Sequence, residues 1–334
     1  SYFAERVRLR LNEWMENSGH NIYTDGLVVH TTLNSKMQKV AEAVVTDKMQ
    51  KLQTVVDVNW GRRTPLYAGA DWTPYVEYME EHPELEPFEY FWERNPGVLD
   101  NFIRGSQRYQ SLVSGELDSQ AALEQLKANE AYLDSLKASA TRLETGFVAL
   151  DPKSGDVKAW IGGRDFSKDK YDHVAIARRQ PGSTFKPFVY TAAIDNGYSP
   201  YYELRDDTLQ IRDPYTGKVW QPMNFGGTVS GTMTPIREGL QQSLNTITAR
   251  LVREIGPERV VSYAHRMGIE SPLDAVPSIA LGTSEVTLLE MASAYTTLAN
   301  RGLHANPRLI TRIEDRHGNV LAHFPPKRNV ALSQ

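Results

Sequence analysis

The sequence predicts an α+β fold, an antiparallel sheet packed with helices, on three observations. Residues 146–162 read as a β-hairpin, residues 183–300 carry mostly helical periodicity, and strand signals return near the C-terminal end around His317-Gly318-Asn319. Strands, then a run of helices, then strands again form separate blocks, whereas a doubly wound sheet needs strands and helices to alternate. No internal repeat and no low-complexity segment competes with this reading.

The elements follow in chain order. An amphipathic helix opens the chain. Val28-Val29-His30-Thr31-Thr32-Leu33 is rich in β-branched residues and alternates, so it reads as a strand. Asn34 or Ser35 can cap the next helix, whose apolar positions Met37, Val40, Ala41, Val44 and Val45 recur at helical spacing. Residues 60–145 change character. Aromatics such as Trp60, Tyr75, Phe88 and Trp92 interleave with acids, and Pro65, Pro74, Pro83, Pro87 and Pro96 keep helices short. A longer helix is expected over 118–143. This stretch reads as an inserted helical lobe whose aromatics form a core of their own, with a glycan or partner surface as the sharper alternative.

In the hairpin, Gly146-Phe147-Val148-Ala149-Leu150-Asp151 pairs with Asp156-Val157-Lys158-Ala159-Trp160-Ile161. Pro152-Lys153-Ser154-Gly155 between them has turn chemistry. A helix is expected from Ser183 to just before Gly197, a natural residue for ending it. Another begins after Thr234-Pro235, with proline at the first helical position. Helices also fit 258–267 and 287–300, the latter opened by the capping-box spacing of Thr287 and Glu290.

Composition bounds the function. The chain has 334 residues, 40% of them hydrophobic and 23% charged, room for about two domains of ordinary globular character. A net charge of −4 gives no electrostatic case for nucleic acid. With no cysteine there are no disulfides and no thiolate metal sites. No apolar run is long enough to span a bilayer, and no signal peptide is visible. The eight histidines lack close ligand spacing, and His317 and His323 bracket a hairpin as surface residues, so neither a metal nor another cofactor is expected. The first and last residues read as the interior of a longer sequence.

The chemistry concentrates in Gln180-Pro181-Gly182-Ser183-Thr184-Phe185-Lys186-Pro187. Positions i and i+3 share a helix face, so the Lys186 amine can stand beside the Ser183 hydroxyl, the arrangement of a serine nucleophile with an amine base. Spacing alone is weak evidence, because Ser167-Lys168-Asp169-Lys170 repeats it. That copy lies in a polar run with no apolar helix behind it and reads as a solvated loop. Ser183 follows a Pro-Gly turn and leads into Phe185, Phe188, Val189, Ala192, Ala193 and Ile194, a buried helix whose start offers free N–H groups and positive potential. A plain serine cap with an incidental lysine stays open at this level. Ser243-Leu244-Asn245 places a hydroxyl and an amide two residues apart, which converge only from a loop or helix junction. Such a pair can relay a proton and hold a substrate amide.

Ser-x-x-Lys followed by Ser-x-Asn resembles the motif set of the penicillin-recognising serine enzymes. The segment around Ser183 is similar to the active-serine region of class A penicillin-binding proteins. So are Ser278-Ile279-Ala280-Leu281-Gly282-Thr283-Ser284-Glu285, Ala294-Tyr295-Thr296-Thr297-Leu298-Ala299-Asn300-Arg301-Gly302 and the hairpin at 149–155. Gly26-Leu27-Val28-Val29-His30-Thr31-Thr32-Leu33 resembles that family's linker between glycosyltransferase and transpeptidase domains. The resemblance implies a β-lactamase/transpeptidase-like fold, with a linker at 1–59, an insert of unknown role at 60–145 and a transpeptidase domain at 146–334. It implies a D,D-transpeptidase that cross-links peptidoglycan stem peptides and is acylated by β-lactams. Ser183 would be the nucleophile, Lys186 the base, Ser243 a proton relay and Asn245 the holder of the acyl-donor amide. It also implies a membrane-anchored parent on the outer face of the bacterial cytoplasmic membrane, working in a cell-wall synthesis complex. A D,D-carboxypeptidase, a β-lactamase-type hydrolase and a non-catalytic β-lactam-binding domain share these motifs. One departure stands out. The family's Lys-Thr/Ser-Gly motif is missing after Asn245; Lys153-Ser154-Gly155 matches its letters but lies in the hairpin turn, so the expected strand belongs beyond residue 334.

Overall fold

The computed structural model describes residues 1–69, 71–212, 217 and 219–333. Among the described residues it is α+β, with one three-stranded and five two-stranded antiparallel sheets among helices. The chain divides into two compact units, 1–42 with 146–334, and 43–145. The first boundary falls inside the helix Ser35–Gly61, whereas the sequence placed it at 59/60, where composition changes. An uninterrupted helix carries no compositional mark of a domain boundary.

In the first unit, the helix Tyr2–Ser18 buries Tyr2, Phe3, Val7 and Leu11 in a core shared with Val157, Trp160, Val174, Ile310 and Ile313. The hairpin Phe147–Leu150 with Val157–Ile161 forms as expected, with Phe147 opposite Ile161. Asp151 Oδ1 accepts the Lys153 and Ser154 amides, each at 2.9 Å, so Lys153-Ser154-Gly155 is turn backbone and not a sheet-borne substrate motif. A second sheet orders Val28–Thr31, Ile310–Glu314 and Val320–His323, the last two joined at the turn near Gly318. Thr32 ties the two sheets, its Oγ1 lying 2.9 Å from Val157 O and 2.8 Å from Arg308 O. The Arg308 guanidinium meets Asp156 at 2.6 Å. Burial pushes the Asp156 pKa up, but hydrogen bonds from Lys158 and Arg308 outweigh it and hold the carboxyl below its usual range.

The main core surrounds the helix Lys186–Asp195. Phe188, Val189, Tyr190, Ala192 and Ala193 are buried on several sides of it, the signature of a central helix. It packs against the helices Asn245–Ile255 and Pro257–Arg266 and the 3₁₀ turn Pro277–Leu281. Burying an aliphatic or aromatic side chain this completely contributes about 1.5–3 kcal/mol, so the central helix is a rigid platform. The helix Leu288–Ala299 starts with the expected capping box, in which Glu290 N bonds Thr287 Oγ1 and the Glu290 carboxylate accepts the Thr287 amide.

Three expectations need correction. Pro235 ends the short strand Met233–Pro235, and the helix begins at Ile236, because the proline's ψ of 141° is extended. The long helix expected over 118–143 is two helices, Ser119–Lys127 and Glu130–Ala140; Asn129 breaks it by capping the second. In the helix Ser35–Gly61, Asn34 Oδ1 does accept the Lys36 and Met37 amides, but Met37, Val40 and Val44 are exposed. The face that meets the hairpin is set by Gln38, whose amide bonds both the N–H and the C=O of Trp160. Periodicity located the helix but not its inward side.

The second unit, 43–145, is helical. Its fully buried cluster is mainly aliphatic (Ile103, Ala122, Leu123, Leu126) with Tyr109. Aromatics gather in edge-to-face and stacked pairs such as Trp60 with Phe91 and Phe91 with Trp92, while Tyr67 is exposed. Among the described residues no helix is long and apolar enough to cross a membrane.

Candidate active site

Ser183 sits in a 3₁₀ turn, Gly182–Phe185, and the α-helix proper starts at Lys186. The sequence placed both residues on one α-helix. The tighter turn still stacks i over i+3, so the two side chains start from the same side. Ser183 is exposed, and its Oγ has no hydrogen-bond partner among the described residues. Lys186 is only 1% exposed.

The turn is held from outside. Gly182 adopts a φ of 59° and donates its N–H to Gly282 O at 3.3 Å. Gly282 itself has a φ of 66°, and a Cβ there would collide with Gly182 O and crowd the Phe185 Cβ. Only glycine lets these two backbones approach so closely. Tyr295 OH donates to Thr184 O at 2.6 Å from the other side. The segments around Gly282 and Tyr295 are thus braces of the Ser183 turn.

Lys186 does not hydrogen-bond Ser183. Its Nζ lies 2.6 Å from Ser243 O, 3.0 Å from Ser243 Oγ and 2.6 Å from Asn245 Oδ1. The serine and asparagine of Ser-x-Asn, 57 and 59 residues away in sequence, therefore meet on the lysine of Ser-x-x-Lys. They converge, as the spacing demands, at a helix junction. Ser243 lies between the helices Ile236–Gln241 and Asn245–Ile255 with a φ of 55°, a left-handed conformation unusual for a serine. Lys186 binds both its carbonyl and its hydroxyl and so secures that conformation.

Burial pushes the Lys186 pKa down to about 8. The contact set suits a neutral amine. Two acceptor-only oxygens, Ser243 O and Asn245 Oδ1, take the two N–H bonds of an NH₂ group, and the remaining lone pair is free for a hydroxyl proton. Ser183, Ser243 and Asn245 line one open cleft of 1030 Å³, whose outer wall is a lip that includes Met223, Phe225 and Val229. Phe225 stands fully exposed on it.

The second Ser-x-x-Lys behaves differently. Ser167 Oγ donates to Asp165 Oδ1 at 2.6 Å, Lys170 is exposed, and the segment is loop. His317 and His323 are exposed.

These features place the chain in a class. Residues 145–333 match the family described as penicillin binding protein transpeptidase domain, and the chain belongs to that family. Among curated relatives, penicillin-binding protein 1A of Pseudomonas aeruginosa is 30% identical over 98% of this chain and 42% of its own length. Penicillin-binding protein 1A of Rickettsia felis is 31% identical over 96% of this chain and 42% of its own length. The chain thus spans less than half the length of these relatives. The crystal structure of penicillin-binding protein 1A from Haemophilus influenzae has the same fold, with a TM-score of 0.65 and 23% identity over 98% of this chain and 50% of that one.

Sequence reasoning missed three contributors: Gly282, Asp206 and Asn224. The last two form a buried polar group beneath the cleft. Only the burial of a carboxylate and an amide sets them apart, and burial is not written in local sequence.

Proposed function

We propose that residues 146–334 form a D,D-transpeptidase domain that cross-links peptidoglycan stem peptides through a Ser183 acyl-enzyme, with 1–59 as a linker and 60–145 as a helical insert. The observation that carries this is the meeting of Lys186 Nζ with Ser243 and Asn245 beside a cleft that is also lined by Ser183, whose hydroxyl has no hydrogen-bond partner among the described residues.

Neutral Lys186 takes the proton from Ser183 Oγ as that oxygen attacks the carbonyl of the penultimate D-alanine. A C–O bond forms and the oxyanion develops near the Ser183 N–H, at the positive end of the helix. Collapse breaks the C–N bond, and Lys186 returns the proton through Ser243 to the departing D-alanine amine. Asn245 donates to or accepts from the acyl-donor amide. The amine of a second stem peptide then attacks the ester, forms the cross-link and regenerates Ser183. A β-lactam enters the same way, but its leaving nitrogen stays tethered and the acyl-enzyme persists. The working location is the outer face of the cytoplasmic membrane, in a cell-wall synthesis complex.

The test is labelling with a fluorescent penicillin followed by mass mapping of the modified peptide. The label is expected on Ser183 and absent from Ser183→Ala. Equal labelling of that variant, or a label on another residue, overturns the assignment. Offering water against an added D-amino acid then distinguishes a transpeptidase from a hydrolase by the product formed.

A further inference from the structure

The helix Asn245–Ile255 carries the amide of the site on its first residue, yet nothing in its own flanking sequence caps it. The first amides of a helix have no intrahelical acceptors and need some from elsewhere. They come from a loop about twenty residues earlier. Asn224 Oδ1 accepts Asn245 N at 2.9 Å and Thr246 N at 3.2 Å. The neighbouring Met223 O accepts Asn245 Nδ2 at 2.7 Å, which turns Oδ1 toward Lys186. Residues 223 and 224 thus hold Asn245 by both its backbone and its side chain.

This loop is anchored in turn by a buried carboxylate. Asp206 is 3% exposed, and its Oδ1 accepts Asn224 Nδ2 at 2.9 Å and Thr246 Oγ1 at 2.6 Å. Its Oδ2 accepts the Ser230 amide at 2.8 Å. Burial pushes the Asp206 pKa up, yet the bonds from Thr246, Ser230 and Asn224 outweigh it and keep the carboxyl below its usual range. A buried, fully partnered carboxylate costs desolvation that simple packing would not, and it fixes geometry in exchange. The loop it holds, 223–230, is the lip of the cleft.

We propose that Asp206, Asn224 and Thr246 form a positioning clamp that sets the Asn245 amide against Lys186 and fixes the cleft lip, so that a remote loop, and not the Ser-x-Asn segment itself, tunes the base. The proposal rests on the acyl-enzyme reading for its kinetic consequence, but its geometry stands apart from it.

The test compares Asn224→Ala, Thr246→Val and Thr246→Ser with the unchanged protein, with Asn129→Ala as a control that removes a helix cap in the other unit. Two quantities are read: the penicillin acylation rate at Ser183, and the pH titration of Lys186 followed by its ¹³Cε NMR signal. Asn224→Ala and Thr246→Val are expected to melt as folded proteins and to acylate roughly tenfold more slowly or worse. Their Lys186 midpoint should fall, because a displaced Asn245 Oδ1 no longer accepts from the ammonium form. Thr246→Ser keeps the hydroxyl and should restore both readouts. An unchanged rate together with an unchanged titration, or an equal slowing in Asn129→Ala, overturns the clamp. If the unchanged protein is not acylated at Ser183, the functional reading fails, and the Lys186 titration still decides the clamp by itself.

Discussion

Ser167 with Lys170 and Ser183 with Lys186 have the same spacing sixteen residues apart, yet the structure treats them oppositely. In the first, the serine bonds a neighbouring aspartate in a loop and the lysine stays in solvent. In the second, the lysine is buried on the central helix and held by Ser243 and Asn245, while the serine faces a cleft. Spacing sets which side chains can meet; burial decides whether an amine can lose its proton near neutral pH.

The largest test of this contrast exchanges the two serines. Ser183→Ala should abolish penicillin labelling, and Ser167→Ala should label like the unchanged protein. A gel assay suffices, and loss of label in Ser167→Ala would erase the distinction. The lysines come next. Lys186→Ala should slow acylation by roughly 10²–10⁴, the usual worth of a positioned base. Lys170→Ala should leave the stopped-flow rate unchanged.

The pH dependence sharpens the same point. With Lys186 depressed to about 8, the acylation rate should climb as pH rises toward that value and fall about tenfold per unit below it. The sign for stability agrees. The unfolded lysine, at 10.5, binds more protons than the folded one between about 8 and 10.5, so Lys186 makes stability increase with pH across that window. Lys186→Met should remove this slope from pH-dependent melting curves, and a slope that persists would place the titration elsewhere.

Smaller effects are expected from the supports. Gly282→Ala forces a methyl into Gly182 O and should slow acylation about tenfold while the fold persists, since the collision lies at the turn that carries Ser183. Glu290 accepts bonds from the Thr287 and Ser271 amides and from Ser271 Oγ. Glu290→Ala should cost about 2 kcal/mol in denaturant melts, whereas Ser167→Ala should stay within about 0.5 kcal/mol.

Much of the fold was legible because it is written locally. The hairpin follows from alternation around Pro152 and Gly155, the capping box from Thr287 and Glu290, and the turn near Gly318 from a residue that tolerates positive φ. The residues that the two motifs single out also lie together: Ser183, Ser243 and Asn245 line one cleft, and Ser243 and Asn245 meet on Lys186. What failed depended on partners far along the chain. The inward side of Ser35–Gly61 follows Gln38 on Trp160, not its most apolar stripe, and the break at Asn129 reflects a side chain that prefers a cap to a helix interior.

The sequence by itself determined the α+β order of elements, the residues that can carry nucleophilic chemistry and the family to which they belong. Tertiary structure alone decided that Lys186 bonds Ser243 and Asn245 and not Ser183, that Gly282 braces the Ser183 turn, and that Asn224, held by Asp206, caps the helix beginning at Asn245. Those contacts join residues from 18 positions apart, between Asp206 and Asn224, to a hundred apart, between Gly182 and Gly282. Propensity and periodicity act over a few residues, so only the folded packing and the need to satisfy buried polar groups could fix them.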